Sequence, residues 1–411
     1  MKGKKLYFGW VIVAVSFLVM MLQFSPSIQI AGLYVVPIAE DFGISRTASS
    51  FTITIGTLVS MVASLFSGRF LTKHSIRLTM CVGLLIYAGC YLTISFTRSV
   101  VVLYTISVVR GLIGTVVTML PTSIVLNNWF PRRMTGKVIS ISLVGVGTGS
   151  MIFSPITGHI IENLGWRSGY RFFAVLSIFL IPFVVLTYYR TPEEKGLSRP
   201  SEDDSTTLDD EDATGIAASY AVRSMGFWLV AVSIACCAGA SQSWYTNGAS
   251  HLNNIGFASV TVSTVFSLTA FGNMIGKLTL GALSDRFGAR AGMSLGSGCV
   301  ILGYITLVTA PTVVFHYAAG LLIGFGVAMV TLASPLITGD IYGRKDFGVI
   351  VGYFNIFASL GASLVPLLVS SVFDLTGSYT PAWYLMIAIS VISILFVLSA
   401  YGLTKFDRVP K

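Results

Sequence analysis

Gly281 to Arg290 reads GALSDRFGAR, a short, charged, glycine-bounded turn between two apolar segments. Upstream by 213 residues, Gly68 to Arg77 reads GRFLTKHSIR in the same setting. The echo is sustained on both sides. PRRMTG, from Pro131 to Gly136, returns as YGRKDFG, from Tyr342 to Gly348, with the final glycines 212 residues apart, and Pro155 returns as Pro366 after 211. One half of the chain therefore repeats the plan of the other, and the fold follows from what a single half contains.

The content is lipid-soluble. Of 411 residues, 54% are hydrophobic and only 10% charged, and the mean hydropathy is +0.81, outside the range of soluble globular domains. A spanning helix needs about 20 predominantly apolar residues. Twelve segments qualify, at 9–36, 47–71, 78–97, 100–128, 136–161, 172–189, 226–250, 258–284, 291–311, 313–338, 348–373 and 380–403. The expected fold is an all-α membrane protein with twelve transmembrane helices in two pseudo-symmetric six-helix halves. Repeats of this kind mark secondary transporters, whose substrate site lies near the bilayer midplane.

Between the halves, TPEEKGLSRPSEDDSTTLDDEDATG holds nine of the seventeen acidic residues and almost no large apolar side chain. Such a stretch buries too little surface to offset its ordering entropy. It divides the chain into a first half at 1–189, a flexible cytoplasmic linker at 190–225 and a second half at 226–411. Basic residues set the orientation, because Lys and Arg are retained on the cytoplasmic side. With both termini inside, 20 fall in cytoplasmic segments and only Arg46, Arg98, Arg167 and Arg171 fall outside. The net charge of +9 is thus explained by topology and anionic lipid, with no nucleic-acid partner, and the chain is expected as a multi-pass protein of the inner or plasma membrane. The first segment follows a basic run but is too long for a signal-peptide core, so it reads as an uncleaved helix. The five cysteines lie in apolar segments without metal-ligand spacing and imply neither metal nor disulfide.

Two cations remain. Arg110 and Lys277 sit inside spans, whereas all acidic residues lie outside the span interiors. An ionisable side chain in lipid is costly and marks function. With no carboxylate to neutralise them, the counter-ion is expected from outside, as an anionic substrate. The competing readings are structural: Arg110 bonding to carbonyls between helices, and Lys277 snorkelling to the cytoplasmic interface.

GALSDRFGAR resembles the loop between helices eight and nine of the major facilitator superfamily, and GRFLTKHSIR its degenerate copy between helices two and three, with Thr72 at the acidic position. The resemblance spans nearly the whole chain and implies the major facilitator fold and alternating access. It also implies a cytoplasmic latch built from Gly281, Asp285, Arg286, Gly288 and Arg290 and, in the first half, from Gly68, Lys73 and Arg77. Gly281 is expected to let helices approach closely. Three runs are similar to the monocarboxylate and oxalate/formate exchanger branch: Tyr34 to Gly43 (YVVPIAEDFG), Asn127 to Pro131 (NNWFP), and Gly145 to Gly158 (GVGTGSMIFSPITG) followed by Gly165-Trp166-Arg167. Lys277 stands where that branch carries a substrate-binding arginine. Lysine is a point charge where arginine is a planar fork, so looser geometric selection is expected. The second lysine of the oxalate exchanger has no counterpart, since Gly352 to Asn355 reads GYFN, and Gln29 and Met119 replace its cavity aromatics, which argues against oxalate itself. VVRGLIG resembles the superfamily's helix-four arginine, linked to proton coupling or substrate binding.

Further cavity-lining candidates are the polar residues of three helices: Gln29 beside Gln23, Ser25, Pro26 and Ser27; Gln242 and Tyr245 beside Ser241, Ser243, Trp244 and Asn247; and Tyr353 and Asn355. Polar groups in lipid need a partner or water, and helix–helix hydrogen bonding is the alternative for each. His251 is a candidate for proton coupling or for an interfacial hydrogen bond. No phosphate-cradling glycine loop, His-Glu cluster or intramembrane catalytic pair is present, so neither cofactor nor enzymatic activity is expected. These observations together imply a secondary transporter of a small organic anion, a mono- or dicarboxylate, acting as a monomer by proton symport or anion exchange at a site containing Arg110 and Lys277. An exporter of hydrophobic or neutral compounds is the rival reading.

Overall fold

The computed structural model describes residues 7–197, 215–309, 312–343 and 345–406, with the side chains of Arg132, Arg133, Asp285 and residues 404–406 outside the description. The linker's acidic run from 198 to 214 and Arg344 also lie outside it. In the first half the long helices are α1 (Gly9–Ile28), α2 (Arg46–Lys73), α3 (Ile76–Phe96), α4 (Val100–Trp129), α5 (Arg132–Leu164) and α6 (Trp166–Thr187). In the second they are α7 (Met225–Asn254), α8 (Ser259–Phe287), α9 (Ala289–Thr309), α10 (Val313–Tyr342), α11 (Phe347–Thr376) and α12 (Thr380–Phe406). Eleven are long and apolar enough to cross a membrane; the twelfth, α8, is the helix that carries Lys277, Asp285 and Arg286.

The chain folds as two compact units, residues up to 42 with 55 onward, and 43–54 with the second half. The early turns of α2 group with the second unit because Asp374 of α11 accepts from the backbone N–H groups of Arg46 (3.1 Å) and Thr47 (3.0 Å). The Ser50 and Ser370 hydroxyls lie 2.9 Å apart there, and Thr54 donates to the Ser363 carbonyl.

Each unit repeats the other's pairings. In the first, α1 packs on α5 and α6, and α3 on α4 and α6; in the second, α7 packs on α11 and α12, and α9 on α10 and α12. Glycine sets the closest approaches. Gly145 and Gly149 of α5 meet the backbone carbonyls of Phe17 and Met21 in α1, and Gly361 of α11 meets that of Ala235 in α7. The contact expected of Gly281 is absent: a Cβ there, or at Gly68, meets nothing within 4 Å. The close packing of α8 falls two turns earlier, where Gly272 and Gly276 interlock with Gly320 and Gly324 of α10, a small-residue pair on each helix.

The first segment does not run unbroken to residue 36. A wide π-turn at Met20–Phe24 and Pro26 disturb it, and after Ile28 the chain turns through Ala31–Tyr34 into a separate helix, Val35–Phe42. α6 begins six residues earlier than its apolar composition suggests, because Gly165, at φ 77°, turns the chain straight into it. Arg167 and Arg171 therefore lie in its first turns. The two motif copies close their turns differently. Gly288 does so at φ 86°, whereas in the first copy Ser75 caps α3, its side chain accepting from Leu78 N–H.

The linker's described end is docked. Ile216 N–H donates to the Tyr342 carbonyl at 2.8 Å, and Asp346 accepts from Ala218 N–H at 2.7 Å, capping the short helix Ala218–Ala221.

Candidate functional site

Arg110 sits on α4, on the turn that meets α2: Gly111, the next residue, lies against the Gly56 carbonyl, and Ser60 donates to the Gly111 carbonyl at 2.9 Å. Its side chain enters a cage of tyrosines. The guanidinium carbon lies 4.9 Å from the ring centre of Tyr91 and 5.8 Å from that of Tyr87, both on α3 and one helical turn apart. Tyr170 of α6 lies beside Tyr91 at 5.9 Å, and Tyr34, from the turn after α1, rests on Tyr170 at 4.4 Å. One guanidinium nitrogen donates to Ser27 of α1 at 3.3 Å, and Ser27 in turn donates to the Gln23 carbonyl.

These contacts hold a cation without neutralising it. Ring faces attract a guanidinium through their quadrupole by about 0.5–2 kcal/mol each, which compensates part of the lost hydration. No carboxylate takes part: among the described residues one ion pair forms, Arg167 with Asp41, elsewhere in the unit. The shielded Nε of Arg110 has no hydrogen-bond partner, and the side chain remains partly exposed. A guanidinium has five N–H donors in a planar fork; with Nε shielded and the Ser27 and Tyr170 hydroxyls engaged, the remaining donors are left for an incoming oxyanion.

In the second unit Lys277 lies on α8, beside its contact with α10. Gly276, the residue before it, meets the Phe325 carbonyl where α8 and α10 interlock. Lys277 is partly exposed and has neither acidic nor hydrogen-bonding partner among the described residues. Asn273, buried one turn away, shares its face of α8.

The remaining candidates are distributed. Gln29 is buried at the end of α1, and Gln242 is partly exposed on α7. Tyr245 is buried, its ring 6.4 Å from Phe266 of α8. Tyr353 and Asn355 are exposed on α11, with Tyr353 against Phe227 near the start of α7. Other polar residues of these helices join elements. Gln23 donates to Ser177 of α6, Trp244 to Thr269 of α8, and Asn247 donates to the Pro366 carbonyl while accepting from Ser370. His251 is buried against Tyr379 and Trp383.

At the motif turn, Arg286 and Arg290 are exposed, as are Arg69, Lys73 and Arg77 at its first copy. The residue that organises the turn lies outside the motif. Asp340, in the last turn of α10, accepts from Ala289 N–H at 2.7 Å and from the Tyr401 hydroxyl at 3.0 Å, so an acidic side chain does stand within a spanning helix. Neither Asp340 nor the tyrosine cage is evident in the sequence reading, although the four-residue spacing of Tyr87 and Tyr91 signals one shared helix face.

The sequence profile of the Major Facilitator Superfamily matches residues 10–251 and 216–411. Monocarboxylate transporter 13 of Bos taurus is 22% identical over 387 residues, 91% of this chain and 85% of that protein. Sialic acid transporter NanX of Escherichia coli (strain K12) is 22% identical over 374 residues, 88% of this chain and 86% of that protein. Among solved structures, the nucleoside transporter NupG superposes with a TM-score of 0.73 at 12% identity, covering 96% of this chain and all of that one.

Proposed function

Since the chain belongs to the major facilitator superfamily, and is thus a multi-pass membrane transporter and not an enzyme, we propose that its cargo is a small organic anion carrying a carboxylate. The observation that carries this reading is Arg110: a membrane-embedded guanidinium caged by tyrosines, with no acidic partner among the described residues and with donors to spare. A buried charge left unpaired costs several kcal/mol, and an anionic substrate recovers that cost each time it binds. Lys277, in the other unit, is a second cation with no acidic partner among the described residues, and we assign it too a role in anion transport. Transport proceeds by alternating access, with proton symport or anion exchange as the driving reaction and with the Gly281–Arg290 turn and its first-half copy as the cytoplasmic gate. Both termini face the cytoplasm. The names of two relatives, a monocarboxylate transporter and a sialic acid transporter, agree with a carboxylate cargo.

Counterflow of radiolabelled mono- and dicarboxylates into proteoliposomes, with and without a pH gradient, tests this. At least one carboxylate should exchange, and converting its carboxylate to an amide should cost more than tenfold in affinity in the wild type but less in Lys277→Ala, which has already lost one of the two cations. Equal losses in the two proteins would remove Lys277 from the anion site. Transport of the amide as fast as the acid by the wild type would favour a carrier of neutral compounds.

A further inference from the structure

The first unit contains a second, separate concentration of positive charge, at the end remote from the Gly68–Arg77 turn. A cavity of about 520 Å³ opens there, lined by Asp41, Ser95, Phe96, Arg98, Arg167 and Arg171 among others. Three of the four arginines that depart from the basic-side asymmetry of the chain meet at this one place.

Their charges are not balanced. Arg167 is satisfied, bonded to Asp41 at 2.7 Å and donating to the Thr97 carbonyl at 3.2 Å. Arg98 and Arg171 have no ion pair or hydrogen bond among the described residues; Arg171 only stacks over the Phe96 ring at 5.0 Å. Two uncompensated guanidiniums around a cavity call for an oxyanion.

The helix register indicates from which phase it comes. Arg171 heads the exposed stripe of α6 that continues through Val175, Ile178, Pro182 and Val185, while Phe96 heads that of α3, formed by Leu78, Val82, Leu85 and Leu92. The opposite face of α3, with Met80, Leu84, Tyr87 and Tyr91, is buried. In a membrane those apolar exposed stripes face acyl chains, and α3 and α6 pack side by side. The cavity thus sits where an apolar surface ends in two free cations, a layout that suits a molecule with an anionic head and hydrocarbon tails.

We propose that this cavity binds the phosphate of an anionic phospholipid, held by Arg98 and Arg171, with its acyl chains lying along α3 and α6. Native mass spectrometry of the full-length protein, supplied with equal phosphatidylglycerol and phosphatidylcholine of matched chains, tests the assignment. Two guanidiniums at a lipid phosphate correspond to a preference on the order of tenfold for the anionic lipid. Arg98→Gln together with Arg171→Gln should reduce that preference to near parity. Arg98→Gln alone, at an exposed side chain bonded to nothing, should reduce it part of the way in a protein whose folding is undisturbed. Lys73→Gln, at the opposite end, should leave it unchanged. Soluble glycerol phosphate at millimolar concentration should not displace the lipid. If it does, the cavity serves a soluble anion and the lipid assignment falls. Equal retention of both lipids by the wild type, or an unaltered preference in the two arginine variants, overturns it as well.

Discussion

A lone arginine in a membrane protein is usually neutralised by a carboxylate; Arg110 is instead held by aromatic faces and by the hydroxyls of Ser27 and Tyr170. The distinction matters for transport, because a carboxylate partner would compete with an anionic substrate, whereas tyrosine rings stabilise the cation and leave its N–H groups available. Removing one partner of a desolvated charged contact costs about 2–5 kcal/mol, so Arg110→Ala should weaken substrate binding by more than tenfold while the protein still inserts. Arg110→Lys should be a poor rescue, since lysine lacks the planar fork that grips two carboxylate oxygens. Lys277→Arg should retain part of the activity. The cage itself can be probed at Tyr91: Tyr91→Phe keeps the ring face and should leave affinity within about twofold, whereas Tyr91→Leu removes an interaction worth about 0.5–2 kcal/mol and should weaken binding by a corresponding factor. Equilibrium binding of the cognate anion reads all of these, and equal effects of Tyr91→Phe and Tyr91→Leu would show that the ring face does not matter.

At the scale of elements, the helices meet through glycine, and glycines of similar appearance differ in consequence. Gly324 is pressed onto the Thr269 backbone, so Gly324→Val must push α8 and α10 apart, a typical overpacking cost of about 1–3 kcal/mol. Its melting temperature in detergent should fall clearly. Gly281→Ala should leave it unchanged, because the added methyl group enters open space. Asp340 gives a second test. Its carboxylate satisfies the first backbone N–H of α9 and lies at the positive end of that helix dipole, so Asp340→Ala should destabilise the second unit by about 1–2 kcal/mol. Thermal unfolding followed by tryptophan fluorescence checks both. An unshifted midpoint in Asp340→Ala would show that water replaces the cap without penalty.

Across the whole molecule, the twofold repeat reappears in the packing of the two units, whereas the two cations stand on opposite members of the related helix pairs, Arg110 on α4 of the α2–α4 pair and Lys277 on α8 of the α8–α10 pair. Arg110 precedes a glycine where α4 meets α2, and Lys277 follows one where α8 meets α10, so related contacts present a charge in each unit. The distribution of basic residues, 20 on one side and four on the other, predicts that a tag inserted within residues 201–210 is labelled only from the cytoplasm. Labelling from outside intact cells would reverse the orientation.

The succession of apolar segments determined that this chain is a multi-pass membrane protein, and periodic echoes such as Gly281–Arg290 and Gly68–Arg77 determined its division into halves. Both are properties of order along the chain: apolar length and repeat spacing survive in one dimension. The two intramembrane cations were legible for the same reason, as charges in runs that otherwise exclude them. What surrounds them was not. Tyr34, Tyr87, Tyr91 and Tyr170 come from three helices and a turn and become one cage only when α3, α4 and α6 pack, and Arg98 and Arg171 become one pocket only when Gly165 starts α6 early. Nor could the sequence say which glycines lie at contacts, since Gly281 and Gly324 differ only in what stands opposite them. Contacts between distant segments are fixed by the packing of whole helix faces, and that information exists only in three dimensions.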